Sequence, residues 1–213
     1  MNSVLDFNAE RYVEAAVQFS SDYLTGFGLS KLVVGASGGL DSTVAASLAV
    51  RVVGADNVLL LHLPHHNQKE GEQEFHRVCD LVNVPGDNRT CIDIRPMLDA
   101  YPFHGNTIQM TNLLTRIQRA ILFDFSHKYG APVFGTLNRT EYELGEYPIF
   151  ALEASIQPIR LLFKTQVRML AQYLGLPPAI QDKIPTIDTW LGKLDQINRT
   201  KIVTIGIPIV DQI

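Results

Sequence analysis

The sequence predicts an α/β protein with a doubly wound, mostly parallel five-stranded sheet and helices on both faces. Three observations lead to this fold class. Short runs of β-branched and leucine residues alternate with longer amphipathic segments along the chain. The 213 residues are 46% apolar and 19% charged, which supplies a sizeable core. No internal repeat, low-complexity tract or linker divides the chain, so residues 1–213 are expected to form a single domain.

The first half of the chain alternates regularly between the two kinds of segment. Its helices carry apolar residues at every third or fourth position, and its strands are short apolar runs. In chain order, the predicted elements are a helix over 8–25, a strand over 31–36, a helix over 43–53, a strand over 57–63, a helix over 69–82 and a weaker strand over 88–94.

The second half continues with a long helix over 107–128, a strand over 132–135 and a helix over 164–174. Leu114 and Ile121 are in register on the long helix. The alternation of strands with helices implies right-handed crossovers and a largely parallel sheet. Ligands of these sheets bind beyond the carboxyl ends of the strands, so a site is expected at that edge.

Composition excludes several functional classes. A formal charge of −4, from 18 Lys and Arg against 22 Asp and Glu, argues against a nucleic-acid partner. The longest apolar runs have about six to eight residues, whereas a membrane span needs about 20. Residues 1–6 lack the basic and apolar regions of a signal peptide. Cys79 and Cys91 are too few for a disulfide scaffold, so a cytoplasmic protein is predicted.

The most informative segment is Ser-Gly-Gly-Leu-Asp-Ser at residues 37–42, here called the glycine loop, between a predicted strand and a predicted helix. Its two glycines permit close approach of an anion to the backbone amides, and the hydroxyls of Ser37 and Ser42 face the same helix end. Asp41 is unusual there, because a carboxylate beside phosphates needs a cation such as Mg²⁺. The alternative is a glycine-rich turn in which Asp41 and Ser42 only cap the helix.

The glycine loop matches the pyrophosphate loop of the ATP pyrophosphatase (adenine nucleotide alpha hydrolase) superfamily, whose members split ATP between its α and β phosphates to activate a substrate as an adenylate. Four later stretches resemble those of NAD synthetases. They are Asn112 followed by Arg116, Gly135-Thr136 followed by Glu141, the stretch from Pro158 to Val167 that contains Lys164, and the stretch from Lys183 to Asp195 that contains Thr186. On these motifs the chain is identified as a member of the ammonia-dependent NAD synthetase family.

This resemblance implies ATP-dependent adenylation of the carboxylate of deamido-NAD. Ammonia then displaces AMP, so that the products are NAD, AMP and pyrophosphate. The family forms homodimers, to which the predicted helix over 107–128 could contribute. No glutaminase domain fits in 213 residues, so ammonia is expected to come free or from a separate glutaminase.

The resemblance also assigns roles to individual residues. Its implied catalytic residues are Asp41, Glu141 and Lys164, with Mg²⁺ held by Asp41 and Glu141. The implied ATP and pyrophosphate ligands are Ser37, Gly38, Gly39, Asp41, Ser42, Gln68, Thr136, Lys164 and Thr186. The implied ligands of the acid substrate are Asn112, Arg116 and Glu153.

The chemistry of two of these residues points the same way without the resemblance. Lys164 opens a predicted helix, where the helix dipole disfavours a cation, so a nearby anion is expected to hold it. Glu141 follows the strand over 132–135 at the same sheet edge as Asp41, and two carboxylates meeting a triphosphate suggest Mg²⁺. A solvated surface lysine and a glutamate that only starts a helix are the plain alternatives.

The acid-substrate end of the predicted site departs from the family pattern. Thr111 stands where the family usually has glycine, and Gln118 stands where a second arginine is expected. The loop over 145–155 is apolar instead of rich in glycine and aspartate. Two other functions therefore remain open: an adenylating ligase that amidates a different carboxylic acid, and a nucleotide-binding relative without catalysis.

Overall fold

A computed structural model describes residues 6–65, 68–102, 107–145, 147–148, 151 and 154–183 of the chain. Its sheet contains three parallel strands, β1 (Leu32–Gly35), β2 (Val58–His62) and β3 (Arg89–Cys91), in the order β1-β2-β3. Leu32 is paired with Val58, and Leu60 is paired with Arg89. The predicted α/β class and the parallel sheet are confirmed.

The predicted count of five strands is not confirmed, since the described residues form three. Two further segments extend the sheet beyond β1 through single parallel bridges, Val33 to Val133 and Phe134 to Ile156. Each segment makes only a few hydrogen bonds, such as Phe134 N–H to the Val33 carbonyl at 2.8 Å. The predicted strand over 132–135 is therefore a short bridged segment, because too little of it is paired to form a ladder.

Helices cover both faces of the sheet, as predicted, and the alternation of side chains along the strands explains why. The helices are α1 (Ala9–Gly26), α2 (Leu40–Val53), α3 (Gln68–Leu81), α4 (Arg95–Asp99), α5 (Thr107–Tyr129), α6 (Arg139–Leu144), α7 (Lys164–Tyr173) and α8 (Pro178–Gln181). On β1, Leu32 and Val34 point into one apolar cluster with α1, α2, α3 and α7, while Val33 points into a second cluster with α4 and α5. Successive residues of a strand face opposite sides, so both sides of this sheet need a helical layer.

The main differences from the predicted elements are at their ends and in short helices. Helices α4, α6 and α8 were not predicted, and β3 occupies only three residues of the predicted 88–94. Helix α2 begins at Leu40 instead of residue 43, because Gly39 has extended backbone (φ −82°, ψ 169°) and ends the loop there. As a consequence, Asp41 lies in the first turn of α2, where the helix dipole favours a carboxylate.

Among the described residues, no helix combines the length and the apolar character that a membrane span requires.

Candidate active site

The glycine loop connects the carboxyl end of β1 to α2, as predicted. Gly38 has a positive φ of 80°, a conformation that side chains other than glycine rarely adopt. The carbonyl of Gly39 accepts hydrogen bonds from the Thr43 amide at 3.0 Å and the Thr43 hydroxyl at 2.7 Å. This carbonyl is thereby directed into the helix and away from any ligand in front of the loop.

The two serine hydroxyls of the glycine loop lie side by side. Ser37 Oγ and Ser42 Oγ are 3.2 Å apart, and the Gly39 amide donates to Ser37 Oγ at 3.3 Å. Ser37 is exposed, while Ser42 is buried and also donates to the Gly39 carbonyl at 3.1 Å. Hydroxyls and amides therefore converge at the start of α2, which is the arrangement that binds phosphate at helix N-termini.

Asp41 and Lys164 form an ion pair that joins the first turns of α2 and α7. The side chain of Lys164 is 6% exposed and that of Asp41 is 17% exposed, so the pair is largely out of water. The anion expected beside Lys164 is thus supplied within the protein by Asp41. Removing one partner of such a pair leaves an uncompensated buried charge, which is costly.

Asn138 links the two predicted metal carboxylates and was not predicted as a site residue. Its side-chain amide donates to Asp41 Oδ1 at 3.0 Å, and its backbone amide donates to Glu141 Oε2 at 3.2 Å. Asn138 is fully buried and caps α6 by accepting from the Glu141 amide at 2.9 Å. The residue that caps α6 is therefore hydrogen-bonded to both carboxylates, to Glu141 through the capping box and to Asp41 through its side-chain amide.

The starts of α6 and α7 are bonded together, which places Lys164. The Lys164 amide donates to Thr140 Oγ1 at 2.9 Å, and the Arg139 amide donates to the Leu162 carbonyl at 2.8 Å. Thr140 is buried, so its hydroxyl replaces the water that would otherwise satisfy the first amide of α7.

Lys183 also contacts the glycine loop. Its ammonium donates to the Gly38 carbonyl at 3.0 Å and forms an ion pair with Glu74 on α3. A Cβ on Gly38 would lie 3.0 Å from the Cβ of Glu74, so α3 packs directly against the loop. Lys183 opens the stretch from Lys183 to Asp195 that resembles NAD synthetases. Its partner Glu74 is 109 positions away, so no local pattern in the sequence predicts the pair.

Two histidines at and just after the end of β2, His62 and His65, are buried, and His62 contacts the residue that precedes the glycine loop. Its Nδ1 lies 3.1 Å from the Ala36 carbonyl oxygen, and its ring stacks on Phe75 with centroids 5.4 Å apart. Because a carbonyl only accepts hydrogen bonds, Nδ1 carries the proton. His62 therefore holds the residue that precedes the loop.

The predicted acid-substrate residues Asn112 and Arg116 lie on α5, half-buried and exposed respectively. Gln118, in the place of the expected second arginine, donates to the Leu63 carbonyl at 3.1 Å, just past the end of β2. The first half of α5 thus passes the carboxyl edge of the sheet.

Other predicted ligands can be placed only in part. Thr136 is half-buried just after the Val133–Phe134 bridge segment, at the carboxyl edge of the sheet. Gln68 opens α3, but its side chain lies outside the described part of the chain, as do Glu153 and Thr186.

The described residues of the 145–155 loop pack on their own chain. Ala151 is 3% exposed, and Ala154 packs on the cluster under α5. The ring of Tyr147 stacks on Tyr142 with centroids 5.6 Å apart, and the guanidinium of Arg160 lies 3.4 Å from the Tyr142 centroid. These residues therefore contact protein groups within the same subunit.

The donors around Asp41 suit a magnesium ion that is bound together with phosphate. Magnesium takes oxygen ligands and commonly uses one or two carboxylates plus substrate phosphates and water. Asp41 and Glu141, both bonded to Asn138, provide two such carboxylates. Within the described ranges, no group of three or more His, Cys, Asp and Glu residues forms a metal cluster. A site made only from protein ligands is therefore not indicated there.

Comparison with known proteins gives a family. The model of the NAD synthase family matches residues 12–202. The NH3-dependent NAD+ synthetase of Chlorobium phaeovibrioides is 34% identical over 198 residues, which are 90% of this chain and 70% of that protein.

Two solved structures have a similar fold. The NMN synthetase of Francisella tularensis has a TM-score of 0.79 and 30% identity, covering 93% of this chain and 85% of its own. The NH3-dependent NAD synthetase of Campylobacter jejuni has a TM-score of 0.77 and 24% identity, covering 95% and 94%. At 24% identity the likeness concerns the fold alone.

Proposed function

The chain belongs to the NAD synthase family, and from this premise we propose that it synthesises NAD from deamido-NAD, ATP and ammonia. It is an ATP-dependent ligase that forms an amide bond. The observation that carries the proposed site is the Asp41–Lys164 ion pair at the glycine loop, with Asn138 bonded to both Asp41 and Glu141. These groups combine an anion-binding helix start with a lysine and two carboxylates.

The proposed mechanism assigns a task to each group. The carboxylate of the substrate attacks the α-phosphate of ATP, pyrophosphate leaves, and ammonia displaces AMP from the acyl-adenylate. Ser37, Ser42 and the amides of Gly38 and Gly39 bind the leaving pyrophosphate, and Lys164 compensates its charge. Gln68, Thr136 and Thr186 complete the nucleotide site, while Asn112, Arg116 and Glu153 bind the acid substrate. No protein nucleophile is needed, because positioning and charge stabilisation supply the catalysis.

Asp41 and Glu141 would hold Mg²⁺ in this proposal. The ion neutralises phosphate charge when bound, and this explains why a carboxylate is found in an anion-binding loop. Lys164 forms an ion pair with Asp41, and this contact holds the carboxylate in place at the start of α2.

The proposal includes a homodimer in the cytoplasm. Exposed apolar side chains on α4 and α5, namely Met97 (48%) and Phe123 (37%), support α5 as part of the dimer contact. Cys79 and Cys91 are free thiols, which suits a reducing compartment. Ammonia is supplied free or by a separate glutaminase.

A second candidate substrate is the mononucleotide acid that gives NMN. The 30% identity to an NMN synthetase favours it, as does the replacement of an expected arginine by Gln118, which binds the Leu63 carbonyl instead. Deamido-NAD remains the first choice, and the contacts of the described residues of the 145–155 loop with their own chain support it.

The test is a steady-state comparison of the two acids with ATP, Mg²⁺ and excess ammonia, with pyrophosphate release as the readout. We expect kcat/KM for deamido-NAD of at least about 10⁴ M⁻¹s⁻¹, at the lower end of the ordinary enzyme range, and a smaller value for the mononucleotide. A value for deamido-NAD below about 10² M⁻¹s⁻¹ together with efficient use of the mononucleotide would replace the first candidate by the second. Asp41→Asn serves as the inactive control for contaminating activity.

A further inference from the structure

The glycine loop has one backbone carbonyl whose direction matters for anion binding. In a peptide unit the C=O and the N–H point in opposite directions, so the carbonyl of Gly38 and the amide of Gly39 leave the loop on opposite sides. If this peptide turned over, the carbonyl oxygen would face the phosphates and repel them. Glycine on both sides of the peptide makes such a rotation sterically easy.

The side chain of Lys183 holds that carbonyl. Its ammonium donates to the Gly38 oxygen at 3.0 Å and is itself anchored by the Glu74 carboxylate on α3. The Gly39 amide on the other side donates to Ser37 Oγ at 3.3 Å, among the hydroxyls that converge at the start of α2. A charged hydrogen bond thus fixes the peptide in the orientation in which its N–H faces the hydroxyl of Ser37.

Glu74 holds the Lys183 ammonium near the Gly38 carbonyl. The side chain of Lys183 is 25% exposed and that of Glu74 is 40% exposed, so the ion pair contributes little to overall stability. Its effect is local, because it fixes a long flexible side chain at one carbonyl. Because Gly38 packs closely on Glu74, the Gly38 carbonyl and the Glu74 carboxylate can both contact the Lys183 ammonium.

We propose that Lys183 is a positioning residue of the pyrophosphate site, which fixes the Gly38–Gly39 peptide with its amide toward the phosphates while Glu74 anchors the lysine. The proposal rests on the proposed function, since it takes pyrophosphate as the ligand of the glycine loop. Lys183 acts through the backbone of the loop and does not itself bind the phosphates.

The experiment measures binding and turnover separately for four variants of the full chain. Lys183→Met removes the donor at similar length, Lys183→Arg keeps a donor that can reach both partners, and Glu74→Gln removes the anchor. Lys128→Met is the matched control, because Lys128 contacts the Tyr129 ring at 4.9 Å at the far end of α5. Calorimetry with Mg²⁺-pyrophosphate gives Kd, steady-state kinetics give KM for ATP and for the acid, and thermal unfolding gives Tm.

We expect Lys183→Met to raise Kd for pyrophosphate and KM for ATP about tenfold, the scale of one charged hydrogen bond. The KM for the acid substrate and the Tm should stay near those of the wild type. Lys183→Arg should restore most of the affinity, Glu74→Gln should weaken binding less than Lys183→Met does, and Lys128→Met should behave as the wild type.

Three results would overturn the positioning role. The first is unchanged pyrophosphate affinity in Lys183→Met, and the second is an equal loss in Lys183→Met and Lys183→Arg. The third is tighter binding in Glu74→Gln, since a lysine released from Glu74 would then be binding phosphate directly.

If the wild type binds pyrophosphate but amidates neither acid, only the proposed function fails, and the pyrophosphate Kd values of the variants still test the role of Lys183. A wild type that binds no pyrophosphate overturns both.

Discussion

At the scale of single residues, Asp41 combines a structural role with a proposed catalytic role. It is the counter-ion of a buried lysine, and it is the proposed ligand of a metal that arrives with the substrate. We expect Asp41→Asn to lower turnover by about 10²–10³-fold, because an amide cannot replace the ionised carboxylate at the phosphates. Pyrophosphate release at saturating Mg²⁺ measures this, and turnover near the wild-type rate would exclude the metal role.

The same substitution is also expected to destabilise the protein, which distinguishes Asp41 from an ordinary surface carboxylate. Asp41→Asn leaves Lys164 buried without its counter-ion, at a cost of roughly 3 kcal/mol in the free energy of unfolding. The double variant Asp41→Asn with Lys164→Met removes both charges, so it should unfold at higher urea concentration than Asp41→Asn alone while remaining inactive. Additive losses of stability would mean that the ion pair makes no contribution.

At the scale of residues, the sequence is informative where the signal is local. The glycines, hydroxyls and carboxylate of the glycine loop are consecutive, and Lys164 was expected beside an anion because it opens a helix. Asn138 and Lys183 went without a role because their partners, Asp41 and Glu74, are 97 and 109 positions away. One sequence carries no information on which distant polar groups meet.

At the scale of elements, the six-residue helix α6 illustrates how a cap can serve a site. Asn138 accepts from the Glu141 amide as the cap and donates from its side chain to Asp41. Asn138→Ser keeps a capping oxygen but loses the amide donor, so we expect about a tenfold fall in turnover with less than about 1 kcal/mol lost in stability. Kinetics and urea unfolding measure the two effects.

Asn138→Ala is the matched comparison for this prediction. It removes the cap as well as the donor to Asp41, so it should lose about 1 kcal/mol more stability than Asn138→Ser at a similar level of turnover. Full activity in both variants would show that Asn138 does not position the two carboxylates.

Element boundaries were predicted least well where an element depends on its partner. The apolar run over 132–135 suggested a strand, but only Val133 and Phe134 form bridges, one to each side. Gly135 allows the neighbouring segment to approach closely, because a Cβ there would lie 2.8 Å from the Cβ of Ala154, and its amide donates to the Ile156 carbonyl at 2.8 Å. The extent of a ladder depends on how far the neighbouring segment runs alongside, which the composition of the run does not state.

At the scale of the whole molecule, two apolar clusters on opposite faces of the sheet give the fold its layers, and these layers were predictable from alternating strands and helices. The contact between α1 and the segment that precedes α7 was not predictable in this way. Tyr12 on α1 donates its hydroxyl to the Pro158 carbonyl at 2.9 Å, across 146 positions, and thereby ties the first helix to the segment that leads to α7.

This tie predicts a pH dependence of global stability. Burial raises the pKa of Tyr12 to about 12 from its ordinary value near 10. The folded protein then keeps a proton that the unfolded chain loses between these two values, so the free energy of unfolding should fall as pH rises from about 10 to about 12. Below about pH 10 both states keep the proton, and Tyr12 adds no pH dependence there.

Urea unfolding of the wild type and of Tyr12→Phe across this range tests the prediction. Tyr12→Phe should be less stable by about 1 kcal/mol at neutral pH, because the hydrogen bond to Pro158 is lost, and its stability should fall less steeply above pH 10. Tyr23→Phe, on the same helix, retains Tyr12 and should keep the steeper fall. Parallel curves for the wild type and Tyr12→Phe would contradict the prediction. They would mean that Tyr12 releases its proton equally easily in the folded and unfolded states, and that the contact between α1 and Pro158 does not shield the Tyr12 hydroxyl from water.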